Sequence, residues 1–168
     1  IRTLMIHESF RAAMFDKHSR QRHHAEPLWR RSLASACIMR GLARFTGLDA
    51  DEAWLIGLLH DIGNIIVLRI LSTDAGFTHQ EIDSETFEYL CSESHQEFGE
   101  LVAEAWSLPV NVTAIIRDHH TLPADDDPLR RDRLQVRLTD MITAMLGFAP
   151  PASFKLLEST AARDLGLS

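Results

Sequence analysis

Seven residues near the middle of the chain, Gly57-Leu58-Leu59-His60-Asp61-Ile62-Gly63, place an adjacent His-Asp pair at the end of an apolar run. Any fold that buries the run carries the pair inward, where an imidazole and a carboxylate need partners. Those partners are either protein groups or a divalent metal ion, for which both side chains are good ligands.

The periodicity around this segment is helical throughout. Val, Ile and Thr never alternate with polar residues long enough to suggest strands, so the fold class is all-α. A first helix is predicted over Ile1–Phe15, followed by a His- and Arg-rich connection over Lys17–Ala25. Pro27 fits the first turn of a second helix that stops at Gly47. Asp49 and Glu52 have capping-box spacing for a third helix, which carries His60-Asp61, with Gly63 as its C-terminal cap. A short apolar helix over Ile65–Leu71 and a loop over Asp74–Phe77 come next. Two helices are predicted over Gln80–Cys91 and Ser94–Trp106, and another from Pro109 to His119-His120. Leu122–Pro128 reads as an exposed connection, Leu129–Leu146 as a long helix, and Ser153–Leu165 as a last helix after Pro150-Pro151.

Composition narrows the function classes. At 168 residues, 45% apolar and 24% charged, the chain has the make-up of one globular domain with a real core. A net charge of −7 argues against a broad nucleic-acid or anionic-membrane surface. The basic clusters Arg30-Arg31 and Arg130-Arg131-Asp132-Arg133 read as solvated helix faces. Cys37 and Cys91 demand no disulfide framework. We count no apolar run of the ~18 residues that cross a bilayer, and Glu8, Arg11 and Asp16 interrupt any leader, so a cytoplasmic location is expected.

Helix geometry then groups the polar residues. Positions i, i+3, i+4 and i+7 share a face. His60 lies with Gly57, Ile56 and Ala53, and Asp61 with Leu58, Gly57 and Trp54. His95 lies with Phe98, Gly99, Val102 and Trp106, His119 with Ile116, Ile115 and Val112, and Asp140 with Val136, Thr143 and Ala144. Small neighbours such as Gly57, Gly99 and Ala144 would leave space beside them. Taken alone, each His reads more readily as a core histidine on a carbonyl, and each Asp as a cap or a salt-bridge partner. Together with the His119-His120 pair they read as one polar centre inside a helical bundle, which is how bundles build metal sites. His7, His18, His23, His24 and His79 share no such context and read as surface residues.

Leu28-Trp29-Arg30-Arg31-Ser32-Leu33-Ala34 followed by Gly57–Gly63 resembles the HD superfamily, and more narrowly the HDOD domain of bacterial signalling proteins. Ser94-His95-Gln96-Glu97-Phe98-Gly99, Trp106-Ser107-Leu108-Pro109 and Ile115-Ile116-Arg117-Asp118-His119-His120 continue the match in order. The resemblance implies an HD-type helical domain over 1–148, whose N-terminal part is expected to lie ahead of Ile1, and a C-terminal helix over 149–168. It also implies that His60, Asp61, His95, His119, His120 and Asp140 stand at ligand positions, as in the metal-dependent phosphohydrolases and cyclic di-GMP phosphodiesterases of the superfamily. Three departures stand out. Arg31 replaces an early His ligand, Asn64 replaces a Lys often found after His-Asp-Ile-Gly, and no Gly-Tyr-Pro follows His120.

Arg31 decides between two readings. A guanidinium stays protonated and cannot ligate a metal. Pointed inward it would repel a divalent cation and pair with Asp61 or Asp140. Swung out along its aliphatic stem it would leave a weaker site for one metal. The first reading is a non-catalytic signalling module that binds a signalling protein or a small ligand, with no catalytic residues and no cofactor. The second is a hydrolase holding a divalent ion (Fe, Mn, Zn or Mg) on the six residues.

Overall fold

The computed structural model describes residues 20–74, 76–77, 79–149 and 159–166. Among them the chain is helical, with no strand: α1 Arg22–Thr46, α2 Ala50–Leu59, α3 Gly63–Thr73, α4 Ser84–Ala105, α5 Val110–Asp118, α6 Arg130–Met145 and α7 Thr160–Asp164. The helix expected over Ile1–Phe15, His7 and His18 lie outside the described residues, as does the whole segment from Pro150 to Glu158 and with it the first part of the last expected helix.

The 25-residue α1 is the spine, with α2 and α6 packed along it. It ends where Gly47, at φ 76°, turns left-handed and donates its N–H to Ala43 O at 2.8 Å, a conformation glycine adopts without strain. α2 begins at Asp49, whose carboxylate accepts from the N–H groups of Asp51 and Glu52. The reciprocal arm of the expected capping box is missing, because Glu52 accepts instead from the Asn111 side chain of α5. Met39, Ile56, Leu58, Leu59, Ile115 and Ile116 fill the core between α1, α2 and α5.

Four expectations about elements need correction, each for a tertiary reason. α1 starts at Arg22, ahead of Pro27, because its entry is tied to the segment before α4. Gln21 Nε2 donates to Gln80 O (2.7 Å), Ile82 N–H donates to Gln21 Oε1 (3.0 Å), and His24 Nε2 lies 2.9 Å from Ile82 O. The same bonds occupy the backbone of Gln80–Ile82, so the helix predicted from Gln80 begins only at Ser84. Its N-terminus is capped by Asp83 on Thr86 N–H. The break expected around Ser94 is absent. Ser92 and Ser94 donate to the carbonyls of Tyr89 and Leu90, so their hydroxyls are satisfied inside one continuous helix. Gly63 is not a cap but the first residue of α3.

Gly57, Gly63 and Gly99 leave no space. A Cβ on Gly63 would stand 1.8 Å from His95 O, and one on Gly57 2.6 Å from Ser35 O. A Cβ on Gly99 would stand 2.7 Å from Ile116 Cγ2. They let helix backbones touch, which brings α3 onto α4 and α2 onto α1.

By length and composition alone, at a mean hydropathy of 1.6, the 24-residue stretch Ala50–Thr73 passes as a candidate membrane span, but the fold breaks it into α2 and α3 at His60-Asp61. The polar His60-Asp61 pair hides that average from a search for uninterrupted runs. Within the fold 72% of its most apolar window is buried. α7 rests on α6 through Ala161, Ala162 and Leu165 against Leu134 and Leu138, with Arg130 paired to Asp164. Arg133 likewise lies inside an ion-pair network with Asp118 and Asp127, 13% exposed, rather than on a free solvated face.

His24, expected at the surface, is 5% exposed and stacked on Phe87 at 4.1 Å between ring centroids. Burial, partly opposed by its bond to Ile82, lowers its pKa. The unfolded chain takes up this proton near pH ~6.5 while the folded chain resists it. The stability tied to neutral His24 is therefore complete above pH ~6.5 and drains away as the pH falls below it. His24→Ala should cost about 1–3 kcal/mol by orphaning Ile82 O, and should flatten the acid side of the stability curve. Urea titrations at pH ~7.5 and ~5 measure both effects.

Candidate metal centre

The chain turns from α2 into α3 at His60-Asp61-Ile62, so the pair is delivered to the point where α1, α4, the end of α5 and α6 come together. Asp61 is 4% exposed and His60 fully buried. His95 comes from α4, His119 and His120 from the turn after α5, Asp140 from α6 and Arg31 from α1. All six residues expected at the centre are there, and Arg31 points inward with them.

The two oxygens of Asp61 look in different directions. Oδ2 lies 2.9 Å from Arg31 NH2 and 3.5 Å from His60 Nε2. The Arg31 contact is an ion pair by distance without the alignment of a hydrogen bond, since both Asp61 Oδ2 and Arg31 Nε are buried with no hydrogen-bond partner. Asp140 joins this side, its Oδ1 3.2 Å from His60 Nε2 and 3.8 Å from Arg31 NH2. Oδ1 of Asp61 faces the other way, 3.7 Å from His95 Nε2 and 3.5 Å from His119 Nε2. His95 and His119 approach at 3.3 Å between their Nε2 atoms, and His120 Nε2 lies 3.0 Å from His95 Nε2.

Three of the imidazoles are oriented the same way. Nδ1 of His60, His95 and His119 contacts the carbonyls of Gly57 (3.0 Å), Cys91 (2.8 Å) and Ile116 (2.8 Å). Each ring spends its Nδ1–H on backbone one turn earlier and turns Nε2 to the centre. Metal-binding histidines are held by the same outer bond.

Charge divides the centre. Burial alone would discharge His60, but the carboxylates of Asp61 and Asp140 outweigh it and hold its pKa at about 9. Burial would raise Asp61, yet Arg31, His60 and His119 bring it well below the usual carboxylate range. Asp140 is lowered in the same way, by His60 first, against burial. On this side two cations face two anions. On the other, burial and the charge of neighbouring His119 push His120 down to about 4, and burial lowers His95. Those rings stay uncharged at neutral pH.

Two sets of ligand atoms lie within 4.8 Å of one another: Asp61, His95, His119 and His120, and His60, Asp61 and Asp140. The first offers three imidazole nitrogens and a carboxylate oxygen, a donor set that fits a divalent ion. The second already holds a guanidinium and a protonated imidazole and does not.

A cavity of about 490 Å³, a size that suits a small-molecule ligand, opens beside the centre. Leu28, Phe87 and Phe148 wall it, and Arg31, Asp61, His95 and His120 reach it from the centre. Cys91 also lines it, its thiol pushed up to about 12 by burial and by Asp61, and hence inert as a nucleophile. Asn64, 5% exposed with Oδ1 unpartnered, is a cavity residue that the sequence marked only as a departure. A helix begun at Pro27 leaves His24 outside its pattern, whereas the observed helix begins at Arg22. Carried back one turn, His24, Leu28 and Arg31 share a stripe.

The sequence profile of the HDOD domain family matches residues 1–122. An uncharacterized protein of Treponema pallidum (strain Nichols) is 28% identical over 107 residues, covering 57% of this chain and 20% of that protein. The crystal structure of an HDOD domain protein with unknown function from Geobacter sulfurreducens superposes with a TM-score of 0.62 at 24% identity, over 84% of this chain and 54% of that one. This second likeness is one of fold. The chain spans about a fifth of the length of the Treponema protein and about half of the Geobacter chain.

Proposed function

The chain belongs to the HDOD domain family, and from that premise we propose that it is a non-catalytic regulatory domain of bacterial signal transduction. It works in the cytoplasm and relays its signal by binding a protein partner or a small ligand. The observation that carries this reading is Arg31, whose NH2 stands 2.9 Å from Asp61 and 3.8 Å from Asp140. A permanent positive charge there does electrostatically what a metal ion would do for the two carboxylates, and it offers no Lewis acidity to a phosphoryl group. The cavity beside it gives a small ligand a place to bind.

The reading predicts that the purified chain, supplied with excess Mn²⁺, fails to turn over bis(p-nitrophenyl) phosphate above the rate with metal alone. Turnover that vanishes in His119→Ala would overturn it. A second reading, a metal-dependent phosphohydrolase, is favoured by the Asp61–His95–His119–His120 set. A metal bound there would supply polarisation of a phosphoryl oxygen, while His95 and His120 reach the cavity in which a substrate would lie.

A further inference from the structure

We propose that this centre is built for one divalent cation and no more. The cation sits on Asp61 Oδ1 and the Nε2 atoms of His95, His119 and His120, and Arg31 permanently fills the half that would take a second.

The spacing supports the first half. A tetrahedral ion with bonds of about 2.0–2.2 Å separates its ligand atoms by roughly 3.4 Å along each edge. Four of the six edges here measure 3.0, 3.3, 3.5 and 3.7 Å, and the other two fall within 4.8 Å. Three nitrogens and one oxygen suit Zn²⁺ or Fe²⁺ better than Mg²⁺ or Ca²⁺, which prefer all-oxygen shells. The outer shell is already in place, since Cys91 O and Ile116 O fix the rings of His95 and His119. His120 is exposed and reaches the cavity, which gives the ion an entry path.

The other half is closed by chemistry rather than by space. An ion on His60, Asp61 and Asp140 would stand beside a guanidinium that cannot deprotonate. It would compete for the Asp61 oxygen that Arg31 already holds at 2.9 Å.

The test is a metal count on the whole chain, stripped with chelator, loaded with excess Zn²⁺ or Co²⁺ and dialysed. The expected result is one ion per chain, with the visible bands of tetrahedral cobalt in the Co²⁺ form. Asp140→Asn should keep one ion. His119→Ala should lose more affinity than the ~10–100-fold that follows loss of an outer-shell bond. His120→Ala, at an exposed position, guards against mere misfolding and should weaken Co²⁺ and alter its spectrum. No ion in a folded chain, or two ions, overturns the proposal. So does an ion that survives both His variants, or one that leaves with Asp140→Asn. One ion without hydrolysis is compatible with the regulatory reading, so the two claims fail separately.

Discussion

Gly63→Ala should leave little or no folded protein. The new Cβ would lie 1.8 Å from His95 O and 2.5 Å from its carbonyl carbon, and these are backbone atoms in the middle of a 22-residue helix. A flexible side chain could move aside, whereas α4 can do so only as a body. Overpacking a core against side chains costs about 1–3 kcal/mol, and against backbone we expect at least ~4 kcal/mol. A domain of this size has roughly 5–15 kcal/mol in total. Gly41→Ala is the matched control. It sits on the exposed face of α1 with nothing within 4 Å of its Cβ position, so it should gain about 0.5–1 kcal/mol from helix propensity alone. Urea midpoints of the two variants should therefore move in opposite directions. A Gly63→Ala protein as stable as its parent would show that α3 and α4 do not touch here.

Arg31→Met should cost about 3–5 kcal/mol, the penalty for leaving a buried carboxylate without its partner. The methionine keeps most of the aliphatic stem against the packed side of α1 and removes only the charge. Asp61 and Asp140 then share the single positive charge of His60. A divalent cation can replace the lost charge, so Mn²⁺ or Zn²⁺ should recover more melting temperature in the variant than in the parent. Thermal scans with and without metal give both numbers. Equal melting temperatures for variant and parent would mean that Arg31 does not neutralise the centre.

The centre was legible because its signals are local. The His60-Asp61 pair, the His119-His120 pair and the apolar stripes of His95 and Asp140 each follow from neighbours within one or two turns, and the structure brings all of them together. The direction of Arg31 was half legible, since its stripe pointed inward while its stem allowed the opposite. Helix ends with their own chemistry, Asp49 and Gly47, fell where the residues put them. Those decided at long range did not. The start of α1 and the late start of α4 depend on Gln21 and His24 meeting Gln80–Ile82, some 60 residues away in the chain. Gly63 carries a turn signal in sequence, but its reason is the closeness of α4, which no local pattern encodes.

The split carboxylate of Asp61 has a thermodynamic consequence. One charge is shared between Arg31 on α1 and the histidines of α4 and the α5 turn, so the two sides draw on the same electron density. Whatever pulls harder on Oδ1 weakens the hold of Oδ2 on the guanidinium, and by linkage a displaced α1 changes the affinity on the histidine side by the same factor. Occupancy and helix position are thus conjugate variables of one residue. Binding at the centre and the position of α1, the longest of the described helices, are thereby coupled through charge alone.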